Sequence, residues 1–222
     1  MPTDTPPPPE PPKPKLRWYQ YRLRSLFLFM LVATIPLGWL SAKLKAAREQ
    51  RAAVEAILKL GGKVMYDYQV YPSRSPSNSP GPPWLRGLLG DDAFVTVIIV
   101  GLYNSEITDT GLERADGLAQ LKELYLGRTA TTDAGLEHLK GLTQLTRLSL
   151  RSTKISDSGL QYLKGFTRLT HLDLDDTNVS DSGLEHLKGL NQLEELSLFG
   201  TNVSDAGVKG LQKALPKTET HR

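Results

Sequence analysis

Residues 145–168 have the sequence LTRLSLRSTKISDSGLQYLKGFTR, and closely similar blocks recur every 24 residues along the second half of the chain. The five blocks begin at Val97, Leu121, Leu145, Leu169 and Leu193. Their shared pattern is L-x-x-L-x-L-x-x-T-x-[IV]-[ST]-D-x-G-L-x-x-L-x-x-L, and each block matches it at nearly every position. A period of this length predicts that residues 97–215 form a repeat domain of five similar units.

The spacing of apolar residues within one block predicts a short strand followed by a helix. Leu148 and Leu150 alternate with polar residues and therefore lie on one side of a strand. Leu160, Leu163 and Phe166 fall on one stripe of a helix. Neither element can bury its apolar side alone, so successive units must stack, with parallel strands about 4.8 Å apart. The predicted fold is an α/β solenoid with one parallel sheet and one helix per repeat.

This pattern resembles the leucine-rich repeat family over residues 97 to about 215, roughly half of the chain. The T-x-I-[ST]-D-x-G-L portion is most similar to a subclass that ordinarily carries Cys where this chain has Thr129, Thr153, Thr177 and Thr201. The resemblance implies a curved solenoid with the sheet on its concave face. It also implies a non-catalytic module whose exposed strand face or loops bind another macromolecule, which we expect to be a protein.

The side chains opposite the buried leucines are the candidate contact face, because successive residues of a strand point to opposite sides. Tyrosine and arginine among them are the expected anchors, since these residues dominate binding hot spots. An alternative stays open, in which Glu123 with Arg147, and Arg151 with Asp175, only neutralise each other across strands. The candidate contact residues are Tyr103, Glu123, Tyr125, Arg147, Arg151, His171, Asp173, Asp175, Glu195 and Phe199.

One aspartate precedes each predicted helix, where a carboxylate can accept hydrogen bonds from free backbone amides. We predict that these aspartates are helix caps, since a calcium site would need clustered oxygen ligands. His171, Asp173 and Asp175 share a strand face that could suggest a metal site, but their outward placement without further ligands favours an ordinary polar surface. The predicted caps are Asp109, Asp133, Asp157, Asp181 and Asp205.

The first 42 residues divide into three stretches by composition. Residues 1–15 hold eight of the fifteen prolines and lack a core-forming set of apolar side chains, which predicts a disordered tail. Residues 16–24 combine basic and aromatic side chains, as expected beside lipid headgroups. Residues 25–42 carry no charge and, as a helix, would reach about 27 Å, close to the roughly 30 Å thickness of a bilayer core. We therefore predict a single transmembrane helix at residues 25–42.

Two alternatives to this anchor stay open. A cleaved signal peptide has a similar order of basic and apolar regions, although no A-x-A-like site follows the run. A buried helix would need complete enclosure. Five Lys/Arg precede the span and four closely follow it, so the positive-inside rule predicts a cytoplasmic N-terminus and repeats outside the membrane, as in a signal-anchor. With the repeats, this N-terminal region resembles envelope proteins of certain bacteria such as planctomycetes.

Residues 43–62 are predicted to form a helical connector ending at a glycine pair. One interpretation is a coiled-coil seam, and the other is a helix that packs on the following domain. Residues 63–96 are predicted as a flanking, capping region with a strand at Lys63–Val70 and a Pro/Ser-rich loop. The seam residues are Leu40, Leu44, Ala47, Arg51, Val54 and Leu58.

The C-terminal end of the repeats is predicted to leave one strand edge open. Residues 216–222 form a tail in this interpretation, so nothing follows the strand near Leu193–Leu198. Its glutamates could blunt the edge by charge, or the edge could pair with a partner strand or a second copy, giving a weak homo-oligomer.

Composition limits the remaining function classes. The chain has no cysteine, which excludes disulfides and thiolate chemistry. Its net charge of +3 arises in residues 1–60, with ten Lys/Arg against four Asp/Glu, whereas residues 61–222 carry seventeen against twenty. A slightly acidic main domain argues against nucleic-acid binding. No G-x-S-x-G, P-loop, H-E-x-x-H or Rossmann fingerprint is present, so we expect no enzyme, cofactor or metal.

Overall fold

The computed structural model describes residues 18–70, 84, 86–87, 94–103, 107–113 and 115–222, excepting the side chains of residues 18–24, 26–37, 68, 70 and 116. The predicted tail at residues 1–15 lies outside these residues. The chain divides into two compact units, Met1–Ala42 and Lys43–Arg222.

Helix α1 spans Trp18–Lys59. Among the described residues, no helix is both long and apolar enough to cross a bilayer. Most of the predicted span at residues 25–42 falls at positions whose side chains are not described. The transmembrane helix therefore stays a prediction.

The part of α1 in the second unit packs on the start of the repeats. Ala53, Val54 and Ile57 are buried in the same apolar cluster as the repeat leucines. The Gln50 side chain donates to Val95 O at 3.0 Å and accepts from Val97 N at 3.3 Å. In this unit the structure therefore shows the packing alternative for the connector. The proposed seam does not coincide with the buried face, since Arg51 and Leu58 are exposed.

The sheet has seven strands in sequence order, with β1 antiparallel to β2 and every later pair parallel. This confirms the predicted α/β solenoid with a parallel sheet, to which an antiparallel strand is added at the front. The strands are β1 Lys63–Tyr66, β2 Val97–Gly101, β3 Glu123–Tyr125, β4 Arg147–Ser149, β5 His171–Asp173, β6 Glu195–Ser197 and β7 Glu219–His221.

The helical parts of the repeats are short. Three of them continue as 3-10 turns, at Ala115–Leu118, Gln161–Gly165 and Glu185–Leu187. The leucines of both elements meet in one continuous core in which most are fully buried. The remaining helices are α2 Asp67–Val70, α3 Asp109–Leu112, α4 Asp133–Glu137, α5 Asp157–Leu160, α6 Asp181–Leu184 and α7 Asp205–Ala214.

The predicted strand at Lys63–Val70 is half as long as expected, because its second half is helix α2. The carboxylate of Asp67 accepts from Thr96 N at 3.3 Å, and Asp67 N donates to Thr96 O at 2.9 Å. The Gln69 side chain accepts from Tyr66 N at 2.8 Å. The Asp67 bonds reach across to the neighbouring strand, whereas the Gln69 bond is local and favours a turn over extended structure.

The expectation of an open strand edge after the fifth repeat is wrong. Strand β7 lies in the segment predicted as a tail and pairs with β6 in parallel. Leu198 N donates to His221 O at 2.8 Å, and Glu219 N donates to Glu194 O at 2.7 Å. The Thr218 hydroxyl also donates to Leu193 O at 2.7 Å. Strand β7 therefore pairs with the edge of β6 that we expected to be open, and β7 is the last strand of the described sheet.

The threonines at the Cys position of the similar subclass lie at the turn after each strand. Thr153 Oγ1 donates to Leu150 O at 2.5 Å, and Thr129, Thr177 and Thr201 make the same bond three residues back. A buried hydroxyl needs such a partner, because an unsatisfied polar group costs free energy in an apolar core. The local carbonyl lets Thr occupy this position.

The prediction that the recurring aspartates cap the helices is wrong, since each is the first residue inside its helix. The caps are the preceding Thr or Ser; the Ser156 side chain, for example, accepts from Ser158 N. The carboxylate of Asp133 instead reaches into the next repeat, where it accepts from Ser156 N at 2.8 Å and from Ser156 Oγ at 2.5 Å. The same two bonds join Asp109 to Thr132, Asp157 to Ser180, and Asp181 to Ser204. Asp205 pairs with Arg222.

This aspartate ladder explains the glycine of the D-x-G motif in every repeat after the first, whose Gly111 faces Leu60 and Ile107 instead. A Cβ built on Gly159 would overlap the carboxylate of Asp133 from the previous repeat, and Gly135, Gly183 and Gly207 face the equivalent aspartates. The D-x-G motif therefore records a close approach between neighbouring repeats.

We expect Gly159→Ala to destabilise the protein by about 1–3 kcal/mol, the usual cost of overpacking a filled site. The measurement is the free energy of unfolding from denaturant titration followed by circular dichroism. Gly165→Ala is the matched control, because a Cβ there meets nothing within 4 Å. In an Asp133→Ala background the Gly159→Ala penalty should shrink. An equal penalty in both backgrounds would show that the carboxylate is not the obstacle.

Candidate functional site

A groove of about 530 Å³ lies on the open sheet face, the side of the sheet opposite the buried leucines. We call it the sheet-face groove. The strand register places Glu123 beside Arg147, then His171, then Glu195, so that equivalent positions of successive repeats form a row. The predicted contact residues that line the groove are Tyr103, Tyr125, Arg147, Arg151, His171, Asp173 and Glu195.

Two tyrosines form one wall of the groove. The rings of Tyr103 and Tyr125 have centroids 5.7 Å apart at an interplanar angle of 32°. The Tyr125 hydroxyl donates to Glu123 Oε2 at 2.7 Å. Burial, followed by this hydrogen bond and the Glu123 charge, raises the pKa of Tyr125 to about 12. Burial and the same carboxylate also raise the pKa of Tyr103.

The prediction that Asp175 is a contact residue is wrong, because Asp175 is only 3% exposed. Its carboxylate accepts from the Ser197 hydroxyl at 2.6 Å and from Phe199 N at 2.9 Å. It also pairs with Arg151, whose Nη1 lies 2.7 Å from Asp175 Oδ2. Here the neutralising alternative holds. The alternation of the strand placed Asp175 on the open face but could not show that the next repeat covers it.

The other suggested pair, Glu123 with Arg147, is not among the ion pairs of the described residues. Glu123 accepts from Tyr125, while Arg147 Nη2 lies 3.4 Å from His171 Nε2. Thr170 Oγ1 donates its hydrogen to Thr146 O and lies 2.8 Å from His171 Nδ1. This hydroxyl oxygen therefore accepts from Nδ1–H of His171.

The acidic end of the groove has one hydrogen-bonded carboxylate, Asp173, and one carboxylate near two imidazoles, Glu195. Asp173 accepts from the Ser149 hydroxyl at 2.8 Å and from Asp175 N at 3.0 Å. Glu195 lies 3.5 Å from His171 Nε2 and 3.8 Å from His221 Nε2. Within the described ranges, no group of three or more His, Asp or Glu side chains is arranged to hold a metal ion.

Two of the predicted aromatic anchors are well exposed, with Tyr103 59% and Phe199 50% accessible. Arg128 also lines the groove but was absent from the sequence prediction. It sits in the turn after β3 with a positive φ of 59°, outside the strand alternation used to choose contact residues. Equivalent positions of the next repeats, Ser152 and Asp176, share the positive φ. In the sequence, only the 24-residue recurrence of this turn position could have indicated that Arg128 lies beside the open sheet face.

Comparison with known proteins supports the leucine-rich repeat family for the repeat region. Residues 119–179 match the family described as leucine rich repeat. A second leucine rich repeat family matches residues 190–211. The chain matches no curated protein.

Several solved structures are similar to part of this chain. A leucine-rich repeat protein of Leptospira interrogans is 21% identical with a TM-score of 0.41, covering 50% of this chain and 27% of its own. An internalin of Listeria monocytogenes is 21% identical with a TM-score of 0.36, covering 49% and 36%. The leucine-rich repeat ectodomain of an Arabidopsis thaliana receptor kinase is 22% identical with a TM-score of 0.43, covering 58% and 70%. This chain therefore spans only a fraction of the length of the first two.

We expect Glu123→Gln to lower the pKa of Tyr125 from about 12 toward its ordinary value of 10.0, because the variant loses the nearby negative charge. The measurement is the near-ultraviolet absorbance of tyrosinate, with Tyr125→Phe identifying the transition. Because folding raises this pKa, the stabilisation is present below pH 10 and is lost as the pH rises through about 12. The loss should be smaller in Glu123→Gln, and an unchanged transition would exclude the Glu123 contact as a cause.

Proposed function

We propose that the repeat domain is a non-catalytic module that binds a partner protein in the sheet-face groove. Leucine-rich repeat domains typically mediate protein–protein interaction. The proposal rests on one observation about the side chains that line this open groove. The aromatic ring of Tyr103 and the guanidinium groups of Arg128 and Arg147 are all exposed there. These residue types supply most of the binding free energy at protein interfaces.

The fixed strand register supports recognition rather than chemistry. Side chains that project from hydrogen-bonded strands are held in place before a partner arrives, which reduces the entropy lost on binding. The carboxylates of Asp173 and Asp175 are already engaged by neighbouring hydroxyl and amide groups. The exposed groups that remain offer apolar contact and charge, which suit binding of a macromolecule.

Self-association is the second candidate function, and the structure offers one observation for it. Strand β7 is the last strand of the described sheet, so one of its edges faces no other strand. A second copy could pair with that edge. Sedimentation of the full chain over a range of concentrations separates the two candidates, because only self-association makes the molecular mass rise with concentration.

We expect Arg147→Glu to weaken partner binding by about tenfold or more, which corresponds to about 1.4 kcal/mol. The partner is first captured in the native cell through a photoreactive amino acid at Tyr103, and its affinity is then measured with purified protein. Lys164→Glu is the matched control, because it makes the same charge change at an exposed position on the helical side of the repeat. Equal affinities for the two variants would place the contact outside the groove.

We also propose that residues 25–42 anchor the protein in a bacterial membrane, with the N-terminus in the cytoplasm and the repeats outside. The support is the uncharged 18-residue run with basic residues on both sides. The 24-residue Thr-containing repeats together with this N-terminal region resemble envelope proteins of certain bacteria such as planctomycetes, which agrees with a membrane anchor. It would hold the repeat domain at the membrane surface, where a weak partner contact gains from high local concentration.

Deleting residues 25–42 should move the protein from the membrane fraction to the soluble fraction after an alkaline wash. The intact chain should stay with the membrane, and protease added to whole spheroplasts should digest its repeat domain. Complete protection of the repeats would reverse the proposed orientation. Release of the intact chain by the wash would contradict the anchor itself.

A further inference from the structure

The strand register arranges the open sheet face into rows that cross all seven strands. One row begins at Met65 of β1, which pairs with Ile99 of β2. The row of equivalent repeat positions therefore continues into β1. At the other end, β7 contributes Glu219 beside Glu195. The complete row is Met65, Ile99, Glu123, Arg147, His171, Glu195 and Glu219.

The chemistry of the open face changes in a definite order along this direction. Over β1 and β2 the face carries Met65, which is 41% exposed, and Tyr103 beyond the end of β2, with the exposed Lys63 of β1 in the neighbouring row. Over β3 and β4 the fully exposed charges are basic, since Arg128 and Arg147 are exposed and neither has a carboxylate partner among the described ion pairs. The carboxylate of Glu123 on β3 is half-buried and accepts from the Tyr125 hydroxyl. Over β6 and β7 the face is acidic, with Glu195 and Glu219 exposed.

The positive charge of Arg151 is not available to a partner. Its guanidinium is engaged by the buried Asp175 at 2.7 Å and by Asp176 at 3.6 Å. The charge that can meet a partner is therefore concentrated at Arg128 and Arg147. At the acidic end, Glu195 lies 3.5 Å from His171 Nε2 and 3.8 Å from His221 Nε2, and its side chain stays half exposed.

We propose that the groove recognises one extended polypeptide segment with a set order of side chains, a proposal that rests on the protein-binding function above. In the bound segment, an apolar or aromatic side chain lies near Met65 and Tyr103 of the protein. A carboxylate of the segment lies near Arg128 and Arg147, and a cationic side chain of the segment lies near Glu195 and Glu219. Two strand spacings, about 10 Å, separate β2 from β4 and β4 from β6. An extended chain advances about 3.3 Å per residue, so the three groups fall about three residues apart.

A polypeptide fits this face better than a polyanion does. A nucleic acid or an acidic polysaccharide would meet Arg147 favourably but would be repelled at Glu195 and Glu219, whereas a peptide can carry both signs in the required order. Charge complementarity of this kind selects partners and orientation more than it adds affinity.

The test uses the full chain to select from a phage-displayed library of random nine-residue peptides. The expected consensus is an apolar residue, Asp or Glu three positions on, and Lys or Arg three positions further, in either chain direction. The charge-reversed variant, with Arg128→Glu, Arg147→Glu, Glu195→Arg and Glu219→Arg, changes four exposed residues and should enrich the opposite charge order. Circular dichroism confirms that the variant is folded.

The second measurement compares one enriched peptide with its charge-swapped isomer by fluorescence anisotropy. The native order should bind the protein about tenfold more tightly, and the preference should invert with the charge-reversed variant. Peptides without charge order, equal preference by both proteins, or equally tight binding of heparin would overturn the proposal.

The outcomes also separate this inference from the proposed function. Peptides that bind the groove, as shown by weaker binding to Tyr103→Ala, but that lack the charge order would defeat only the inference. Failure to enrich any peptide, together with no partner captured through position 103, would defeat both.

Discussion

The aspartate ladder is the contact that fixes how one repeat sits on the next. Burial of leucines drives the stacking, but apolar contact has no direction and tolerates small shifts between layers. The carboxylate of Asp157 accepts from both the amide and the hydroxyl of Ser180, and such a two-point contact to a charged acceptor specifies position closely. Together with the sheet hydrogen bonds on the opposite side, it holds both flanks of every repeat in register. The rows on the open face, and hence the sheet-face groove, depend on that register.

The same close approach restricts the sequence. Gly183 contacts the Asp157 carboxylate, so a side chain at this position would push the layers apart. Aspartate, serine and glycine therefore recur together because each is one part of a contact made between repeats. Within a single repeat the three residues look like an ordinary helix start, with a capping residue, an acid in the first turn and a small residue.

This is why the sequence predicted the architecture well and some of its contacts poorly. Alternation and helical spacing identify which side of an element is apolar, and the buried leucines such as Leu148 and Leu163 lie where those patterns placed them. Neither pattern says what the next repeat contributes. For that reason the two patterns assign Asp133 to its own helix, and they assign Asp175 to solvent although Ser197 and the Phe199 amide cover it.

The errors at the two ends of the repeats have a different origin. Strand β1 lies outside the 24-residue pattern, and β7 keeps its spacing but lacks its leucines, so the apolar pattern could not indicate that they join the sheet. Lys63–Tyr66 pairs antiparallel with β2, and Glu219–His221 continues the parallel ladder although Thr220 stands where the other repeat strands have a buried leucine. Pairing of this kind depends on free backbone groups of the neighbouring strand and is indifferent to most side chains.

The flanking strands also carry the chemistry that distinguishes one end of the open face from the other. Repeat positions must satisfy stacking, so their outward residues are the part free to vary, and Arg147 and Glu195 differ there. Strands β1 and β7 extend this difference by adding Met65 at the apolar end and Glu219 at the acidic end. Each flanking strand therefore pairs with the outer repeat strand beside it and adds its own side chains to one end of the open sheet face. A substitution at Met65 or Glu219 should alter recognition without disturbing the aspartate ladder, because neither residue takes part in contacts between the repeat helices.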